Sequence, residues 1–139
     1  THDEEIVAAY AANPACNFVF TVSGYRDMLT LLKTVSTQEW ADSLPKDLPV
    51  LLISGKEDPV GNFGQGVKQV YDMLQKAGMK HVSLELLEGM RHEPLNEIGR
   101  QRVYEKVKLW LLPIADPYMN CVCMNRRIHR SEQCSHCSF

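Results

Sequence analysis

The run Val50-Leu51-Leu52-Ile53-Ser54 limits most strongly what this chain can fold into. It is uninterrupted and built of leucine and β-branched residues, as a strand covered on both faces must be. A second strand-like run, Val82–Leu87, follows about one helix later. Its side chains alternate, Val82, Leu84 and Leu86 one way and Ser83 and Glu85 the other, which suits a place nearer a sheet edge. Between the two runs, Val67, Val70, Tyr71 and Leu74 mark one face of a helix over 65–77, with Gly78 as its stop. A last helix is expected over 97–111, with Asn96 as cap and Val103, Val107, Trp110 and Leu111 on its buried side. Strand, helix, strand, helix implies a right-handed parallel crossover and places the chain in the α/β class. Two parallel strands make a poor sheet alone, and a strand like 50–54 needs neighbours on both sides. The sheet is therefore expected to be partial.

Residues 1–40 read as helical. Asp3 can cap a helix carrying Ile6, Val7 and Tyr10 on one side, and Asn13-Pro14 ends it, because the residue before proline avoids the helical region. Thr21 or Ser23 starts the next helix, in which Tyr25, Met28, Leu29 and Leu32 form an apolar stripe at i, i+3, i+4, i+7. Such a stripe serves either as core packing or as the lining of an apolar pocket, a use that suits adaptable methionine. Ser36 or Thr37 caps a short third turn reaching Trp40.

A chain of 139 residues can form one ordinary domain, and 45% hydrophobic with 23% charged residues is normal for a globular one. The net charge of −2 gives no electrostatic case for nucleic acid or for an anionic membrane surface. The apolar runs fall far short of the roughly 20 residues of a membrane span, so no stable membrane insertion is expected. No charged-then-apolar leader opens the chain, which points to the cytoplasm. It begins at Thr1 and enters a helical pattern at once, as a fragment or a processed chain would. In a reducing compartment the five cysteines are expected as free thiols. Cys121-x-Cys123 and Cys134-x-x-Cys137 invite a zinc site, but the interval between them is shorter than in ribbons and fingers, and Cys-x-Cys is an uncommon half-site. Neither a metal nor a cofactor is expected. From Pro113 onward apolar periodicity fades, and Arg126, Arg127 and Arg130 join the cysteines in what reads as a disordered tail.

The chemistry lies where the two strand runs end. The first opens into Gly55-Lys56-Glu57-Asp58-Pro59-Val60-Gly61, the second into Glu88-Gly89-Met90-Arg91-His92-Glu93. Parallel strands bring an acid and a histidine to the same end of the sheet, the end where open α/β sheets bind ligands. Read alone, Asp58 before Pro59 is a turn starter, and Glu57 is a rival acid. His92 alone would be a solvated loop residue. His81 opens a strand at the surface, and His2, His129 and His136 have no supporting context. No Gly-x-Ser-x-Gly occurs in the chain.

The stretch 48–61, joined to Gly89-Met90-Arg91-His92-Glu93-Pro94-Leu95-Asn96-Glu97, resembles the C-terminal part of α/β-hydrolases, above all the monoacylglycerol lipase, lysophospholipase and serine aminopeptidase group. The resemblance covers about residues 3–111. It implies that Asp58 is the acid and His92 the base of a triad ordered Ser…Asp…His. It also implies a division into the end of a helical lid over 1–45, the C-terminal part of a catalytic domain over 46–112, and a tail over 113–139. Segment 12–35 is similar to the end of the family's lid, so Tyr25, Met28, Leu29 and Leu32 become candidate substrate-lining residues. The implied activity is serine-dependent hydrolysis of a carboxylic ester such as a monoacylglycerol or lysophospholipid, without a cofactor. Nucleophile and oxyanion donors would come from an N-terminal half outside this sequence, which becomes the first expected partner, with the small-molecule ester or lipid as the second. Two alternatives stay open. Dehalogenases and epoxide hydrolases use an aspartate nucleophile with the same acid and histidine positions. A hydrolase-like domain without catalysis would bind a partner or form a homodimer through its open strand edge.

Overall fold

A computed structural model describes residues 1–115 of the chain. The chain divides after Tyr104 into two units, Thr1–Tyr104 and Glu105–Phe139. The cysteine pairs of the sequence, and the tail as a whole beyond residue 115, lie outside the described residues.

Helix α1 (Glu4–Ala12) starts where Asp3 accepts the N–H groups of Glu5 and Ile6. Helix α2 (Val22–Val35) is capped by Thr21, whose hydroxyl accepts the Gly24 N–H, and the short α3 (Gln38–Ser43) by Thr37 in the same way. These side chains satisfy backbone donors that a first helical turn leaves without partners. No residue of α1 or α2 is fully buried. The stripe Tyr25, Met28, Leu29 and Leu32 is exposed rather than packed, and Phe18, Phe20 and Tyr25 stack as a chain of tilted rings beside it.

Strand β1 (Val50–Gly55) and strand β2 (Val82–Leu87) pair in parallel, in register from Val50 opposite Val82 to Gly55 opposite Leu87. Helix α4 (Gln65–Lys76) is the crossover between them. Its expected face points inward, with Leu74 buried and Val67, Val70 and Tyr71 half-buried, and Gly78 in the left-handed region ends it. Ala41 of α3, Leu74 of α4 and Met79 form the core, against which Trp40, Leu44, Val50, Leu52, Val70, Met73 and Val82 pack. Alternation puts Leu51 and Ile53 on the opposite sheet face, where they stay half-buried. The strand expected to be covered on both faces is thus half-buried on both from Val50 to Ile53 and buried only at Ser54 and Gly55, and among the described residues the sheet has two strands, each with an unpaired edge.

Helix α5 (Gln101–Ala115) begins later than the sequence suggests. Residues 94–96 form a single 3₁₀ turn, Glu97 is extended at φ −85° and ψ 159°, and Gly99 is left-handed at φ 80°. Neither conformation can continue a helix, so the expected start at 97 gives way to a loop whose Glu97 side chain turns inward. Val103 is buried, Leu111 is exposed, and the helix runs past Pro113 into its last turn. Among the described residues no helix is long and apolar enough to cross a membrane.

Candidate active site

The parallel ladder continues beyond the strands into the two loops. The Lys56 N–H donates to the Leu87 carbonyl at 2.9 Å, and the Glu57 N–H to the Met90 carbonyl at 2.9 Å. Gly55 makes this closeness affordable to the backbone. A Cβ at that position would lie 2.0 Å from the Met90 carbonyl oxygen and 2.3 Å from that of Arg91, so only glycine allows the approach.

Asp58 sits in the first loop with 4% of its surface exposed. Its Oδ1 accepts the Val60 N–H at 2.9 Å, the local turn that an Asp-Pro start favours. Its Oδ2 lies 3.1 Å from Nδ1 of His92. Burial pushes the Asp58 carboxyl up, but the His92 ring and the N–H groups of Val60 and Gly61 outweigh it and hold the carboxyl below its ordinary value. Asp58 is therefore an anion that takes a proton bond from Nδ1 of His92. That contact fixes the ring so that Nε2 faces away from the carboxylate, in a side chain that is 58% exposed. Glu57, the rival acid, points elsewhere: its Oε2 lies 3.2 Å from Nε2 of His2.

Beside His92 lies a cleft of about 220 Å³, open to solvent and mostly apolar, lined by Thr1, Ile6, Val7 and Tyr10 together with His92 and Glu93. Its wall is α1. Tyr25, Met28, Leu29 and Leu32 of α2 are not among its residues. The i, i+1, i+4 pattern of Ile6, Val7 and Tyr10 was visible as one helix side, but nothing local says that this side meets a loop 82 or more positions away.

Two residues of this region carry no sequence signal at all. Glu97 is fully buried. Its Oε1 accepts the Arg91 N–H at 2.8 Å and its Oε2 accepts the His2 N–H at 2.8 Å, with Nδ1 of His2 a further 3.2 Å from Oε1. Burial raises the Glu97 carboxyl, yet these donors prevail and bring it down to about 2. His2 thus spans two carboxylates, Glu97 on one ring nitrogen and Glu57 on the other. Among the described residues no group of histidine, cysteine and acidic side chains is arranged to hold a metal ion.

The chain has counterparts among known proteins. The model of the family described as serine aminopeptidase, S33, matches residues 1–99. A crystal structure of a highly thermostable carboxyl esterase from Bacillus coagulans in complex with glycerol is similar, with a TM-score of 0.69 and 32% identity over 76% of this chain and 34% of that one. This chain spans about a third of that esterase's length. The curated proteins contain no match.

Proposed function

The chain belongs to the serine aminopeptidase S33 family of α/β-hydrolases, and from that premise we propose that it supplies the acid and the base of a carboxylic ester hydrolase. Asp58 is the acid and His92 the base. The nucleophilic serine and the oxyanion donors come from a part of the enzyme outside this sequence. The observation that carries the reading is the 3.1 Å contact between Asp58 Oδ2 and His92 Nδ1 at the carboxyl ends of two paired parallel strands.

The chemistry follows from that contact. His92 Nε2 takes the proton of the serine hydroxyl as the oxygen attacks the acyl carbon, and then gives it to the departing alcohol. Asp58 holds the imidazole by Nδ1–H and stabilises the imidazolium as it forms. The apolar cleft of Ile6, Val7 and Tyr10 beside His92 accepts an apolar group of the ester. The exposed helices α1 and α2 serve as the end of a lid, and the stripe on α2 meets the substrate or the missing half only in the complete enzyme. A small apolar ester, a monoacylglycerol or a lysophospholipid fits this arrangement.

The test is to read the coding DNA upstream of Thr1 and express the extended protein. An open frame carrying Gly-x-Ser-x-Gly, and turnover of a p-nitrophenyl ester that His92→Ala lowers by about 10⁶, is the expected result. A start codon immediately before Thr1 with no hydrolase half upstream, or turnover that survives His92→Ala, overturns the proposal. The chain by itself, which contains no Gly-x-Ser-x-Gly, is expected to show no hydrolysis above background.

A further inference from the structure

Glu97 is the one fully buried carboxylate in the described residues that the proposed reaction does not use. Its two oxygens accept backbone N–H groups from two distant places, Arg91 and His2, and meet the His2 ring, with the Thr1 amino group 3.8 Å from Oε1. Arg91 is the residue before the base. His2 is the residue before the capping position of α1, whose Ile6, Val7 and Tyr10 line the cleft. One carboxylate therefore holds both the loop that carries His92 and the start of the helix that bounds the space next to it.

We propose that Glu97 is a positioning residue, a buried joint that sets the aim of His92 by fixing the Arg91 amide and ties it to the cleft wall through His2. This inference rests on the acid–base reading of Asp58 and His92 above. The mechanism needs only hydrogen bonding. A carboxylate accepts at both oxygens, so it can satisfy Arg91 and His2 at once; an amide presents a donor at one of these two places and cannot. The Met90 carbonyl is already held by the Glu57 N–H, at 2.9 Å. With Glu97 taking the Arg91 N–H, both sides of the 90–91 peptide unit are pinned and the His92 ring is delivered to Asp58. Arg100 adds to the joint on its outer side, with Nη1 3.1 Å from Asp3 Oδ2.

The experiment reads the His92 ring and the Arg91 amide of the chain by nitrogen-15 NMR, in the wild type and in Glu97→Gln. A neutral His92 bonded to Asp58 carries its proton on Nδ1, whereas a free imidazole places it mainly on Nε2. The expected wild type shows the Nδ1–H form and a slowly exchanging Arg91 amide. In Glu97→Gln the Arg91 amide exchanges at least tenfold faster and His92 shifts to the Nε2–H form. Glu97→Asp, which keeps the charge and shortens the reach, gives the same change in smaller measure. A variant that melts earlier but keeps the Nδ1–H form and the protected amide overturns the inference, because Glu97 is then a packing residue only. So does a wild-type Arg91 amide that exchanges like an unstructured peptide, a result that needs no variant to fold. A wild type without the Nδ1–H form overturns the acid–base reading itself and the inference with it.

Discussion

Asp58 and His92 meet through backbone and not through long reach, and Gly55 is where that is decided. Its missing Cβ leaves room for the Met90 and Arg91 carbonyls. Gly55→Ala is expected to push the histidine loop outward, to abolish the Nδ1–H signal of His92 by NMR, and to bring turnover of the extended enzyme toward that of His92→Ala. A second prediction concerns acid. The Glu97 carboxyl is lowered from 4.5 to about 2, so the folded state binds its proton less readily than the unfolded state. The stability this supplies is complete above the ordinary value and is lost as pH falls from 4.5 toward 2, on the order of 3 kcal/mol in all. Asp58, also lowered, acts in the same direction. Urea unfolding followed at pH 7 and at pH 3 measures the loss, and Glu97→Gln should flatten it. At this scale the sequence was partly transparent. Asp58 and His92 could be found because each follows a strand-like run and a glycine. Glu97 and His2 could not, because their partnership spans 95 positions and involves backbone donors that no residue type advertises.

Helices and strands were legible where a periodic face was long enough to have a partner. The inward face of α4 and the caps Asp3, Thr21 and Thr37 follow from spacing and from side-chain oxygens able to accept backbone N–H groups. The start of α5 did not, since the polar residues after Asn96 are compatible with a helix and only the burial of Glu97 and the left-handed Gly99 forbid one. The stripe on α2 has helical period but nothing in the described residues to cover it. Period alone reports that a face is apolar, not what it meets. Leu74 is the fully buried residue of α4 and joins Ala41 of α3 and Met79 in the core. Leu74→Ala is expected to destabilise the fold by about 2–5 kcal/mol, read as a lower urea midpoint with little change in slope. Loss of the Thr21 cap should cost less, about 1 kcal/mol.

For the molecule as a whole, the α/β class and the parallel pairing could be expected from the order of elements, and the extent of the sheet from the need of β1 for neighbours. A two-stranded parallel sheet is marginal in isolation, and each strand here keeps an unpaired edge among the described residues. Phe18, Val19, Val22, Leu29 and Leu31 add exposed apolar surface. Free edges and apolar patches favour association. The chain alone is therefore expected to self-associate, with a mass in light scattering that rises with concentration; a monomer at every concentration would count against an edge that waits for a partner. The parallel pairing also has a kinetic side. Asp58 and His92 are separated by 34 positions, and the whole crossover must close before they touch. Closing such a loop spends chain entropy before any contact repays it. Helical signal is therefore expected to recover first during refolding, and the imidazole–carboxylate contact to be among the last features to return, a built-in marker that folding has been completed.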